Sequence, residues 1–421
     1  MKRHAFIYTL AALALMTVLT ACADDSLYTF DRGDDQPVKK NISLTEAQQQ
    51  MRNNNNDFAC NLFRTINEQN ENEGSIVLSP ISVSYVLGML NCGASGNTRT
   101  QITDVLGLGT SSQEINEYFK KMIDEAPGVD PNVTVKIANC IEANSAKGIT
   151  LDPEYQAEMQ KYYHAEIGSL DFGLGSSLDH INNWCNTHTN GMIPNILDEL
   201  NVDAVMYLLN AVYFKASWTE KFDPNETRDT DFTKQDGTTV KRPMMHLKTN
   251  AVFGMNDLCM MLRLPYGSNG YSMYVLLPNE GKTVDDIIQS LSAQWLMQQQ
   301  ATEMATRVVD ILMPRFTASN ETYLEAPLSA LGMPLAFDGF LAEFPNMAQG
   351  RNLFVSKMKQ KAKIEVNEEG TKAAAVTIVE TRTWSSSNPT VWKFHATRPF
   401  VYYIMEESTQ SIFFMGTYCG D

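Results

Sequence analysis

The chain has 421 residues, of which 43% are hydrophobic and 19% charged, a composition that excludes disorder for most of its length and allows a large buried core. With 33 lysines and arginines against 49 aspartates and glutamates, the formal charge is -16, which excludes nucleic acid as an expected partner because phosphate binding needs clustered cations. No internal repeat or long low-complexity linker divides the chain, so one large domain is the simpler reading.

Lys2 and Arg3 precede an apolar run from Ala5 to Leu19 that is too short for a typical spanning helix and reads as an export signal. Leu19, Thr20, Ala21 and Cys22 resemble the lipobox of bacterial lipoproteins, which implies cleavage before Cys22 and acylation of its sulfur. Acyl chains anchor a protein without spanning the bilayer. Asp24 and Asp25 resemble the surface-export signals of some outer-membrane lipoproteins, so the expected location is the bacterial outer membrane, at the cell surface. Loss of residues 1–21 removes Lys2 and Arg3 and no acid, taking the formal charge to -18. Residues 22–40 are polar and acidic and read as a tether, and residues 41–421 as the folded domain.

Ser43 and Glu46 have capping-box spacing, and Phe58, Leu62, Phe63 and Ile66 recur at helical intervals, predicting a first helix. Ser75 to Leu78 reads as a short strand. Ser79 and Pro80 suit the cap and first turn of a second helix carrying Ile81, Val83, Val86, Leu87 and Leu90, and Gly93, Gly96, Asn97 and Thr98 are stop signals. Tyr207 to Phe214 suits a buried central strand. Gly270 to Pro278, Phe400 to Met405 and Ile412 to Tyr418 read as hairpin arms. Helices crowd the first half and strands the second, an α+β pattern.

Beyond Cys22, Cys60, Cys92, Cys140, Cys185, Cys259 and Cys419 are scattered without CxxC spacing; an even count in an exported protein permits disulfides without naming pairs. The histidines lack metal-ligand spacing, and no GxSxG, HExxH, P-loop or GxGxxG motif is present. No metal, no cofactor and no catalytic site are therefore expected.

Several segments in order resemble the serpins, a family of serine protease inhibitors. Leu78 to Ser82 with Gly93 to Thr98, Gln101 and Ile102 resemble its second helix and the segment after that helix. Ile181, Asn182, Trp184, Thr189, Gly191 and Ile193 resemble its sheet-crossing helix, and Leu209 to Ala211, Tyr213 to Lys215, Trp218 and Phe222 its central strand. Leu264 to Tyr266, Leu277 and Pro278, Pro314 to Phe316 and Leu331 to Met333 continue the match. The most specific stretch runs from Ala362 to Ala375, with Arg398, Pro399 and Phe400 further along the chain. The resemblance implies a serpin fold of three β-sheets with about eight or nine helices and an exposed reactive-centre loop. It implies no enzyme but an inhibitor of serine proteases, with cysteine proteases as further partners, that inserts its cleaved loop into its own sheet and traps the protease covalently. A non-inhibitory serpin, a ligand carrier or chaperone, is the alternative.

The same resemblance implies residue roles. Gly370, Thr371, Lys372, Ala373, Ala374 and Ala375 match the hinge; Trp218, Arg315 and Glu368 match the breach at the top of the sheet; Ser79, Ser82 and Asn210 match the shutter lower down. Gln360 stands where the family often has a histidine, so the shutter network is expected to differ. Counting 17 residues from Glu368 by the family's spacing puts the reactive bond at Trp384 and Ser385, with Arg382 and Thr383 as the competing site. Trp384 suits a chymotrypsin-like pocket, Arg382 a trypsin-like one, and the small residues nearby elastase-like enzymes. The loop is several residues longer than in common members, around Ser385 to Thr390, which leaves both bonds open.

Propensity alone makes Glu368 to Glu380 an alanine-rich helix. Gly370 and the β-branched Val376, Thr377 and Ile378 argue for a strand instead. From Thr371 to Thr383 every odd-numbered residue is uncharged, while Lys372, Glu380 and Arg382 are even, so the segment could enter a sheet with one face buried and no ion desolvated.

Overall fold

The computed structural model describes residues 38–69, 74–107, 111–348, 353–371 and 390–421. Residues 1–37, which include Cys22, and residues 372–389 of the expected hinge and loop lie outside them.

Among the described residues there are nine α-helices: α1 (Glu46–Glu68), α2 (Pro80–Gly93), α3 (Gly96–Gly107), α4 (Ser112–Glu125), α5 (Pro153–Tyr163), α6 (Gly175–His188), α7 (Val284–Ser290), α8 (Ala293–Thr302) and α9 (Glu325–Ala330). The strands are β1 (Val77–Leu78), β2 (Val133–Asn144), β3 (Glu166–Leu170), β4 (Met206–Ser217), β5 (Arg228–Thr233), β6 (Thr239–Met255), β7 (Cys259–Tyr266), β8 (Tyr271–Pro278), β9 (Ala305–Pro314), β10 (Phe316–Tyr323), β11 (Lys359–Asn367), β12 (Gly370–Thr371), β13 (Val391–His395), β14 (Phe400–Glu406) and β15 (Ser411–Tyr418). The architecture is α+β, as expected. Hydrogen bonding links the strands into a six-stranded sheet, β10-β11-β12-β4-β2-β3, and a nine-stranded one, β1-β15-β14-β8-β7-β6-β9-β13 with β5 on β6. Two of the three expected sheets are joined because β6 is long enough to pair with β5 and β9 along its first part and with β7 through Val252–Met255.

The first helix starts later than the Ser43 and Glu46 spacing predicts. Its capping box is formed by Thr45 and Gln48, because Ile42 and Leu44 stay extended ahead of the helix and both turn into the core. Ser79 does cap α2 by position, but its hydroxyl donates to the Phe413 carbonyl and not to the helix. Thirteen of the residues of α2 are buried, so it is an interior helix with no solvent face. It ends at Gly93 as predicted, but Asn97 and Thr98 open α3: Gly96, at φ +52°, turns the chain between the two helices.

Cys60, Cys92, Cys185 and Cys259 are buried free thiols whose pKa burial pushes up to about 12, and Cys140 is a buried free thiol raised further by burial. These thiols form no disulfide, and their burial with raised pKa keeps them from the reactive thiolate form. Among the described residues no helix is long and apolar enough to cross a membrane.

The two sheets meet through aromatic rings. Phe214 of β4 lies edge-on to Tyr266 and Tyr271 of the nine-stranded sheet, with centroids 5.2 and 5.5 Å away. Phe214→Ala is expected to cost about 3–5 kcal/mol, since the buried ring leaves a cavity between rigid layers, and to lower the urea unfolding midpoint correspondingly.

Candidate functional site

The site is the opening between β4 and β11. These strands lie in one sheet, yet only the two residues of β12 join them, Thr371 pairing with Val366 on one side and Ala216 on the other. Below that point neither strand has a partner on the facing edge among the described residues. A cavity of about 280 Å³ occupies the lower part, lined by Leu208, Leu209 and Asn210 of β4, Gln360 and Lys361 of β11, and Ser82 and Val86 of α2.

Gly370 makes the upper end possible. Its φ of +141° and a would-be Cβ only 2.2 Å from the Ala216 carbonyl oxygen leave no room for a side chain. Thr371 then points inward, 1% exposed, and its hydroxyl meets the Tyr266 hydroxyl at 2.7 Å. This is the inward face expected for odd-numbered residues, at the one residue of that series that is described. Burial pushes the Tyr266 phenol well above its ordinary pKa and the Thr371 bond opposes this, so it stays protonated.

Trp218, Arg315 and Glu368 are brought together around this turn. Glu368 is buried; its carboxylate accepts from the Thr227 hydroxyl at 2.8 Å and lies 3.4 Å from the Arg315 guanidinium. Trp218 holds the turn by its backbone and its ring: its amide donates to the Glu369 carbonyl, its indole N–H donates to the Asn367 carbonyl, and the ring stacks on Tyr266 at 4.4 Å. Lys221 adds a 2.5 Å pair with Glu369. Tyr266, Thr227 and Lys221 are not legible as site residues in the sequence, because no local spacing relates them to residue 368; a residue facing Thr371 could be inferred only once the register was known.

Ser79, Ser82, Asn210 and Gln360 also converge, as two separate pairs. The Gln360 amide takes both backbone groups of Ser79, accepting from its N–H at 3.0 Å and donating to its carbonyl at 2.9 Å. Asn210 bonds the Ser82 hydroxyl and reaches back to Asn139 of β2 at 2.8 Å. β11 is thereby tied to the cap of α2 and β4 to its first turn, with no bond between Gln360 and Asn210. Lys372, Ala373, Ala374, Ala375, Arg382, Thr383, Trp384 and Ser385 lie outside the described residues.

The fold is thus α+β, with a six-stranded sheet that admits the start of a further strand between two of its members. The serpin (serine protease inhibitor) family model matches residues 53–420, and the chain belongs to that family. It is 36% identical to the leukocyte elastase inhibitor of Sus scrofa over 86% of this chain and 97% of that one, and 34% identical to leukocyte elastase inhibitor A of Mus musculus over 88% and 100%. Among solved structures it is similar to the thermophilic serpin tengpin in its native state, with a TM-score of 0.81 and 27% identity over 91% of this chain and 96% of that one. It is also similar to human thyroxine-binding globulin complexed with thyroxine, with a TM-score of 0.80 and 28% identity over 88% and 98%.

Gly370→Ala is expected to expel β12 from between its neighbours. Backbone amide exchange at Thr371 should accelerate at least ten-fold while that of α1 and α2 is unchanged.

Proposed function

We propose that this protein inhibits serine-type endopeptidases by offering the segment beyond Thr371 as bait and inserting it between β4 and β11 once it is cut. The observation that carries this reading is the slot itself, filled by two residues at its top and by no strand below among the described residues. Its relatives named leukocyte elastase inhibitor support the same reading.

The register supports it as well. Continued downward from Thr371, the pairing with β11 brings residue 377 level with Gln360, and the pairing with β4 brings it level with Asn210. Both edges therefore accept one strand in one register, with the odd-numbered, uncharged residues facing the core. Insertion would exchange solvated or unpaired backbone groups for ladder bonds on both sides and bury small apolar side chains. Some 14 residues at roughly 3.3 Å each would carry an acyl-linked protease on the order of 45 Å towards the far pole. Tension on the acyl-enzyme would displace its oxyanion hole, where displacements of about 1 Å cost orders of magnitude in rate, and deacylation stalls.

Trp384–Ser385 is the proposed reactive bond and Arg382–Thr383 the competing one, which makes the target chymotrypsin-like or broad. The proposed location is the bacterial outer membrane, with the domain held at the cell surface by lipid on Cys22. The carrier reading is less well supported, since small, uncharged Thr371, Ala373 and Ala375 impose no barrier to insertion.

Mixed with chymotrypsin, the purified protein should give a denaturation-resistant covalent complex and a peptide beginning at Ser385; complete turnover without complex would reject inhibition. The clipped form should melt well above the intact one. Thr371→Arg places a cation where the native side chain is buried against Tyr266, and is expected to convert inhibitor into substrate, read as loss of complex with cleavage retained.

A further inference from the structure

Helix α6 and the segment after it form a strap across the six-stranded sheet. Ile181, Trp184 and Cys185 of α6 seat on Cys140 of β2 and on Leu209, Ala211 and Tyr213 of β4. The segment beyond α6 is tied to the helix by the Asn182 side chain, which accepts from the amides of Ile196 and Leu197 at 2.9 and 3.0 Å and donates to the Leu197 carbonyl at 2.8 Å. Helix and segment therefore move together. Asp198 then reaches Lys359 of β11 at 3.1 Å, so the strap ends on the far side of the slot, and Ile196 to Glu199 line the cavity. A full-length strand cannot fill the lower slot without shifting it.

At the other end the strap is held to the sheet by two histidine–glutamate pairs. His180 Nε2 lies 3.4 Å from Glu142 Oε1 of β2, and His188 Nε2 lies 3.2 Å from Glu166 Oε1 of β3. The first pair is built in: Glu142 is 4% exposed, its Oε2 has no partner, and that atom fits only because residue 168 is glycine, where a Cβ would stand 2.3 Å away. His188 is further fixed by an Nδ1 contact of 2.8 Å with the Trp184 carbonyl. The other titratable or charged groups on this face are the Cys140 thiol, Lys136, which donates to Asn190 at 2.9 Å, Lys361 beneath Cys185, and the Asp198–Lys359 pair.

We infer that His180 and His188 form a pH-responsive clasp: mild acidification tightens the strap over the slot and slows its filling by a strand. The functional half of this inference rests on the insertion reading above. Protonation turns an imidazole into a cation that a neighbouring carboxylate attracts, so mild acidification makes such a pair ionic. Burial raises the Glu142 pKa, opposed by its contacts with Cys140 and His180, so this carboxyl is the first to be neutralised at the acid end, where the clasp releases again. The hold is thus greatest under mildly acidic conditions, before Glu142 takes up its proton.

The test compares the intact protein with H180Q/H188Q, and with E166Q as a milder variant at a surface carboxylate. Hydrogen exchange corrected for intrinsic rates should be about three-fold slower in α6 at pH 5.5 than at pH 7.5 for the parent chain. The contrast should vanish in the double variant and be halved in E166Q. In parallel, the number of inhibitor molecules consumed per chymotrypsin trapped should rise about two-fold at pH 5.5 for the parent only; comparing chains cancels the protease's own pH dependence. The same exchange contrast in parent and double variant overturns the clasp. An exchange contrast that behaves as expected while no chain forms a covalent complex upholds the clasp and overturns the insertion reading instead.

Discussion

Backbone hydrogen bonding in the six-stranded sheet is the constraint on which everything else depends. A strand interior with an unpaired edge is ordinarily a hazard, because its amides and carbonyls template the addition of any extended chain. Here two such edges, β4 and β11, face one another inside a single sheet, and among the described residues Gly370 and Thr371 close the top of the opening alone. The fold keeps the rest apart by tying each strand to something other than its neighbour: Gln360 and Asn210 both bind the start of α2, and Lys359 and Asp198 meet across the strap.

The upper and lower ends use different chemistry. At the top, Glu368 is buried with a hydroxyl and a guanidinium, and Trp218 sandwiches the turn between backbone bonds and the Tyr266 ring. Arg315 is half exposed, so its ion pair contributes little and the hydrogen bonds of the turn contribute more. At the bottom, the Gln360 and Asn210 amides bind the backbone of Ser79 and the hydroxyl of Ser82. Such neutral bonds can be broken and remade without stranding a charge.

Much of the fold is legible in the sequence where periodicity and burial coincide. Residues 207–214 read as a buried central strand because nearly every position is apolar, and β4 is that strand. The hinge is readable only through the family resemblance, because propensity alone makes the same alanine-rich run a helix. Cap placement is less legible: Ser43 and Glu46 offer the right spacing, but burial of Ile42 and Leu44 moves the start of α1 to Thr45 and Gln48. Tyr266 could not be assigned to Thr371, because their contact spans more than a hundred positions and follows from the register of three strands.

Local patterning by itself determined the α+β class, the helices with an apolar stripe and the uncharged odd face from Thr371 onward, while the resemblance of ordered motifs gave the family. Only the tertiary structure decided that Gln360 binds Ser79 and not Asn210, that the cysteines at 60, 92, 140, 185 and 259 remain free thiols, and that His180 and His188 of α6 lie beside Glu142 and Glu166. The reason is physical. Propensity and periodicity act over a few neighbouring residues, whereas a hydrogen-bond partner is chosen by which distant strand arrives at the same level of a sheet, and that is set by packing of the whole core.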